Sequence, residues 1–279
     1  MKANFKNTTT TILVLCTVAF ICYYYFSESP SVESNLTPEN PKSNVSVIPS
    51  TLRFNLPSFT TNQVLARPFY TLSYNDNAEQ ADWVAYTLYP LADSLRVERK
   101  DNFRADPDIL TGSATLADYK SSGYDRGHLA PARALSYSNE AMSASFYMSN
   151  MSPQIGIGFN RGIWKFIEAK VFEWSNSSDS LYVVTGPILD KPLGTIGESK
   201  VIIPRAYYKT IVRFKEGNIF GIGFLIKHAK YPKTAKPYDF ITSIDSVEKV
   251  SGINFYHQMD TIMQLRVEAN KELSTFINE

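Results

Sequence analysis

The stretch Thr8–Phe26 carries no charged residue and is strongly apolar from Ile12 onward. At roughly 19 residues it approaches the ~20 that span a bilayer, so it cannot be read as an ordinary surface segment. Lys2 and Lys6 precede it, Glu28 follows it, and Tyr23, Tyr24 and Tyr25 close it with an interfacial aromatic belt. That asymmetry predicts an N-in, C-out membrane-anchor helix. A cleaved signal peptide is the alternative, although Tyr23–Phe26 is a poor cleavage context. Either reading places the remainder outside the cytoplasm, periplasmic or extracellular, and secreted if the segment is cut. Residues 1–26 are thus the anchor or signal, and 27–58, rich in Ser, Pro and Asn, a flexible tether. Residues 59–279 form the globular domain, whose first regular elements are expected near Ala66.

Both cysteines, Cys16 and Cys22, fall in the apolar run. The domain therefore has neither a disulfide framework nor a cysteine zinc site. Beyond residue 26 the chain holds 26 basic and 27 acidic residues. This balance excludes a strongly basic protein bound to polyanions through bulk charge, so any nucleic-acid partner must be met by local charge. A homodimer is compatible with the sequence, and no protein partner is evident in it.

Aromatic and β-branched runs predict strands at Phe69–Tyr74, Asp82–Leu88, Leu181–Val184, Val201–Phe214 and Ile219–Ile226. Tyr207, Ile211 and Arg213 alternate with Tyr208, Thr210 and Val212. Helical spacing of Ile163, Phe166, Ile167, Val171 and Trp174 predicts a helix from Asn160 to about Trp174. Cap residues predict a short helix from Thr242 that ends at Gly252, and Met259–Phe276 reads as a C-terminal helix. Mixed order of strands and helices points to an α+β fold with a largely antiparallel sheet flanked by helices.

Three segments carry chemistry: Gly123–Pro131 (GYDRGHLAP), Ser149–Gln154 (SNMSPQ) and Asn160–Glu168 (NRGIWKFIE). His128 can accept a proton near neutral pH, its ordinary pKa being ~6.5. Arg126 offers a cationic fork to phosphate oxygens. Two apart on a strand, Arg126 and His128 share a face, and Gly127 between them leaves the backbone open to a bulky substrate. Asn160 and Glu168, eight apart on a helix, project from one side as oxygen ligands suited to Mg²⁺ or Ca²⁺. Arg99, Lys100, Arg104, Arg126, Arg133, Arg161 and Lys165 cluster around these motifs as a local basic groove. His228 and His257 read as structural, Trp164, Phe166 and Trp174 as helix core, and Pro153 and Gln154 as support for a turn.

The set Asp125-Arg126-Gly127-His128 with Asn150 and Asn160 resembles the DNA/RNA non-specific endonuclease family, of the ββα-metal nucleases. Matching motifs extend from Ala81 through Arg99–Pro107 to Gly186-Pro187 and Ser246–Phe255. The resemblance implies a sugar-nonspecific endonuclease that hydrolyses DNA and RNA and leaves 5′-phosphate ends. It implies His128 as general base, and Asn160 as the protein ligand of a single Mg²⁺, with Mn²⁺ able to substitute. It further implies Glu168 as holder of a water of that ion, Asn150 as support for the His128 loop and those waters, and Arg126 and Arg99 as phosphate contacts. Arg104 could serve in place of Arg99, Arg161 could track the backbone, and Asp125 is a local hydrogen-bonding partner. Two other readings stay open: a catalytically weak nucleic-acid-binding module, and a phosphodiesterase acting on smaller esters.

Overall fold

A computed structural model describes residues 56–58 and 62–278. The proposed anchor and most of the tether lie outside the described residues. Among the described residues no helix is long and apolar enough to cross a membrane.

Seven strands build the central sheet: β1 (Gln63–Ala66), β2 (Thr71–Asn75), β3 (Gln80–Leu88), β6 (Ser180–Ile188), β9 (Ala206–Lys215), β10 (Asn218–Lys227) and β11 (Ile241–Thr242). They lie in the order β1-β2-β3-β6-β9-β10-β11, and every pairing is antiparallel. The β9–β10 hairpin closes through Glu216 and Gly217, both at positive φ (51° and 79°), because a two-residue turn of matching twist requires it. Two ribbons stand apart from the sheet: β4 (Tyr124–His128) with β5 (Met151–Ile155), and β7 (Gly194–Ile196) with β8 (Val201–Ile203).

Strand alternation divides the core into two layers. One sheet face presents Val84, Tyr86, Leu181, Val183, Tyr207 and Ile211. It packs against Ile167, Val171 and Trp174 of helix α3 (Lys165–Ser175); the shorter α1 (Leu116–Tyr119) and α2 (Asn139–Ala144) precede it in the chain. The other face presents Trp83, Ala85, Tyr182, Val184, Tyr208 and Val212. Ile244 and Val247 of α4 (Ile244–Ser251) and Val267 of α5 (Thr261–Ala269) cover it, and α6 (Leu273–Asn278) ends the chain. Each fully buried aliphatic side chain contributes about 1.5–3 kcal/mol, so these layers fix the sheet's register.

Several boundaries differ from the sequence reading. Leu56 is buried among Trp83 and Tyr182, and Ser58 N–H donates to Asn254 O (2.7 Å), so the tether's last residues belong to the domain. The expected strand Val201–Phe214 is two strands, parted at Pro204, which has no N–H to give a ladder. The expected C-terminal helix is also two, parted at Asn270, whose extended backbone stops α5 while its amide donates to Gly221 O (2.8 Å). The short helix at 244–251 forms as its caps require. Ser243 accepts from Ser246 N, and Gly252 takes the left-handed conformation.

Candidate active site

The ribbon β4–β5 and the segment leading into α3 position the site. His128 ends β4 opposite Met151, and Arg126 lies opposite Pro153. Just past His128 the chain is clamped by Asn150. Its amide oxygen accepts from Ala130 N (2.9 Å), and its nitrogen donates to Ala130 O (2.9 Å) and Ser145 O (2.8 Å). Asn150 is fully buried and borders none of the cavities described, and its amide ties the loop after His128 to the Ser145 carbonyl. Gly127 faces away from its neighbours, as alternation demands, and a Cβ there would overlap the Gln154 side chain. The glycine therefore makes room for a buried glutamine on the adjacent strand, not for substrate. Pro153 and Gln154 lie within β5 and not in a turn.

Asn160 does not lie on the same regular helix as Glu168. The segment Gly156–Trp164 winds in wide turns, broken at Ile157, Gly158 (φ 88°) and Gly162 (ψ −115°), and α3 begins only at Lys165. Even so, Asn160 and Glu168 border one cavity of about 950 Å³ with His128, Arg99, Arg126 and Lys165. Asn160 Nδ2 donates to Asp125 Oδ2 (2.9 Å), while Arg161 pairs with the same carboxylate at 3.0 Å. With its nitrogen engaged, the amide of Asn160 has its oxygen to offer a hard cation. Asn160 Oδ1, with the Glu168 carboxyl bordering the same cavity, is an oxygen donor of the kind that fits Mg²⁺. The described acidic group close enough to share an ion, Asp245, Glu248 and Glu268, sits on α4 and α5 and shares no residue with the cavity.

Aromatic rings shape the basic groups. The His128 ring meets Phe103 and Phe146 edge-on, with centroids at 5.7 and 5.0 Å. The Arg126 guanidinium lies over Phe103 (4.2 Å) and that of Arg99 over Phe146 (4.9 Å). Phe103 and Phe146 escaped the sequence reading. Phe103 sits inside the Arg99–Pro107 motif, but Phe146 has no local signal. Burial, then Arg99 and Arg126, push the His128 imidazole down to about 3, so the ring is neutral across the physiological range. Its Nε2 is buried and meets no hydrogen-bond partner.

Arg104 lines neither this cavity nor the adjoining one. It stacks on Tyr147 (3.9 Å) and donates to Asn102 O and Ser143 O (both 3.0 Å), whereas Arg99 borders both cavities. Arg133, Arg161 and Lys165 border the main cavity as expected of the basic groove, and Lys100 does not. Trp164 and Trp174 are core, but Phe166 is 43% exposed, because its position turns away from the Ile163–Ile167–Val171 stripe. His228 is buried and saturated: Nε2 accepts from Ile155 N (2.8 Å) and Nδ1 donates to Pro204 O (2.9 Å). His257 borders none of the cavities described.

The sequence profile of the DNA/RNA non-specific endonuclease family matches residues 49–262. Nuclease C1 of Cunninghamella echinulata var. echinulata is 36% identical over 227 residues, 76% of this chain and 89% of that protein. Mitochondrial endonuclease G of Caenorhabditis elegans is 31% identical over 226 residues, 75% of this chain and 72% of its own length. A chain of the crystallised EndoG/EndoGI complex superposes with a TM-score of 0.69 at 28% identity, covering 80% of this chain and 95% of that one. With a seven-stranded α+β fold and a match running through every motif of the cavity, this chain belongs to the DNA/RNA non-specific endonuclease family and is a nuclease of that class.

Proposed function

We propose that the protein hydrolyses phosphodiester bonds of DNA and RNA without sequence preference, with His128 as general base and a single Mg²⁺ on Asn160. The observation that carries this reading is that His128, Asn160, Glu168, Arg99 and Arg126 border one cavity. A phosphate diester entering it brings a negative charge between two guanidinium groups, and phosphate contacts of this kind carry no base information. Nε2 of His128 is shut away, so the atom that takes the proton from the attacking water is Nδ1. The neutral ring has that lone pair available without prior deprotonation. Arg99 and Arg126, braced on Phe146 and Phe103, stabilise charge that develops on the phosphoryl oxygens. Asn160 would hold the cation through Oδ1, and the Glu168 carboxylate would orient water beside it. When bound, the ion supplies electrostatic stabilisation of the phosphoryl group and of the leaving 3′ oxygen, which leaves a 5′-phosphate end.

The proposed extracytoplasmic placement rests on the uncharged run Thr8–Phe26 and the basic residues before it. The test of function is cleavage of supercoiled plasmid and of RNA by the purified protein with EDTA, Mg²⁺ or Mn²⁺. Metal-stimulated cleavage of both polymers is expected, and its absence overturns the proposal. Asn160→Ala should raise the Mg²⁺ concentration needed for half-maximal rate at least tenfold. Unchanged metal dependence would remove Asn160 from its role.

A further inference from the structure

The main cavity is bordered by more groups than the chemistry uses. Along α3 its wall runs from Lys165 and Glu168 to Phe172 and on to Asn176. That is about 16 Å of helix axis, longer than a single phosphate group occupies. Phe172 carries two guanidinium groups, those of Arg96 (4.3 Å) and Arg133 (4.2 Å). Both pair with Asp93 Oδ1 at 3.1 Å. Arg96 is fully engaged. It also donates to Leu91 O (2.9 Å), Ser136 Oγ (3.0 Å) and Arg133 O (3.2 Å), which ties the chain after β3 to the loop after β4. The Arg133 guanidinium, by contrast, is bonded among the described residues to Asp93 alone, and its side chain is 60% exposed. Two cations against one carboxylate leave positive charge at Arg133. The Phe172 ring holds its planar fork ready for an oxyanion.

A second cavity, of about 450 Å³, adjoins the first. The two share Tyr86, Leu88, Pro90, Leu91, Ala134 and Phe172 as walls. Aromatic side chains border the second cavity. Tyr89 is 65% exposed and Tyr137 44%, and Phe69 supports Tyr137 edge-on at 6.4 Å. A cation beside accessible aromatic rings is the combination that holds an unpaired nucleotide, because the cation takes the phosphate and a ring takes the face of the base. Continuity with the main cavity and the charge at Arg133 both match a polyanionic strand.

We propose that Arg133 and this aromatic cleft form a subsite for one unpaired nucleotide beside the scissile bond, with its phosphate on Arg133 and its base against Tyr89 and Tyr137. This assignment rests on the proposed function of the main cavity. It makes the nuclease favour single strands, since a base reaches the cleft only after leaving its stack. Stacking and phosphate contacts accept any base, so cleavage stays without sequence preference.

The test is binding without cleavage, by fluorescence anisotropy of labelled hexathymidylate with the purified protein in EDTA. Wild type should bind hexathymidylate more tightly than its abasic counterpart and more tightly than a hairpin duplex. Tyr89→Ala with Tyr137→Ala should weaken hexathymidylate about tenfold or more and bring it level with the abasic chain. Tyr89→Phe with Tyr137→Phe keeps the rings and should bind as wild type does. Arg133→Ala should weaken both chains alike and reduce the slope of log Kd against log salt by about 0.7, the loss of one single-strand phosphate contact. Equal affinity of wild type for hexathymidylate and the abasic chain overturns the proposal, as does a salt slope that Arg133→Ala leaves unmoved. A double alanine variant that turns a dimer into a monomer in sedimentation while its affinity for hexathymidylate holds also overturns it, for the cleft then seats a second copy. Ring-dependent binding by a protein that cleaves neither plasmid nor RNA with Mg²⁺ supports the subsite and overturns the catalytic reading. Cleavage of both polymers with no discrimination against the abasic chain does the reverse.

Discussion

Two strand ends of this nuclease each hold a histidine among aromatic rings, and only one of the two borders the candidate cavity. At the start of the loop after β10, His228 packs against Phe159, Tyr207 and Tyr124 and has both ring nitrogens bonded to backbone. At the end of β4, His128 packs against Phe103 and Phe146, has an Nε2 without a partner, and borders a cavity with two guanidinium groups. Burial lowers both imidazoles, but at His228 the Pro204 carbonyl opposes the shift, and at His128 Arg99 and Arg126 add to it. Saturated bonding makes the first ring a strut between β5 and the chain after β8. At the second, burial and the two guanidinium groups keep the ring neutral, and no bond of its Nε2 fixes it as a strut. Aromatic enclosure is common to both and therefore diagnoses neither.

Substitution at the two positions separates these roles most sharply. His128→Ala should reduce the cleavage rate by ~10²–10⁴-fold, the usual contribution of a general base, with a small change in Tm. His228→Ala should act in the opposite sense. It leaves the Ile155 N–H and the Pro204 carbonyl unsatisfied, at about 1–3 kcal/mol each, while the fraction that remains folded keeps its turnover. A folded His228→Ala protein with no activity would break the comparison.

The same contrast applies to the arginines. Arg99→Ala should cost ~10²-fold in rate, as loss of one charge-stabilising donor does. Arg104→Ala should leave the rate within about threefold and lower stability by about 1–2 kcal/mol, because its hydrogen bonds join the Asn102 and Ser143 segments. Parallel kinetics and denaturant melts check both, and equal rate losses would place Arg104 back in the substrate path.

The last contrast is in acid stability. The unfolded chain protonates His128 near pH 6.5, and the folded ring only near 3. The unfolded state thus binds the extra proton, and stability drains away as pH falls through that window. His128→Ala should show a shallower loss of urea midpoint than wild type between about pH 6.5 and 4. Identical slopes would show that the folded ring protonates as readily as the unfolded one.

Much of the site was legible because its parts are local. Asp125–His128, Asn150 and Asn160–Glu168 lie in three short segments, and the alternation along β4 is enough to put Arg126 and His128 on one face. Helical periodicity failed at Asn160, where Gly158 and Gly162 allow a backbone that spacing rules do not describe. It also misplaced Phe166, which lies just outside the buried stripe. A local rule misread Gly127 too, since the side chain that needs its missing Cβ belongs to another strand.

The sequence by itself determined the α+β class, the antiparallel habit of the sheet and the motifs that border the candidate cavity, because periodicity and motif spacing are short-range properties of the chain. Only the tertiary structure decided that Arg99 and not Arg104 faces the cavity, that Asn150 is spent on the backbone, and that Phe146 packs against the His128 ring. It alone set the ammonium of Lys209 in β9 against Thr185 and Trp164. Such pairings depend on which distant segments the two core layers press together, and that is not written in any one stretch of residues.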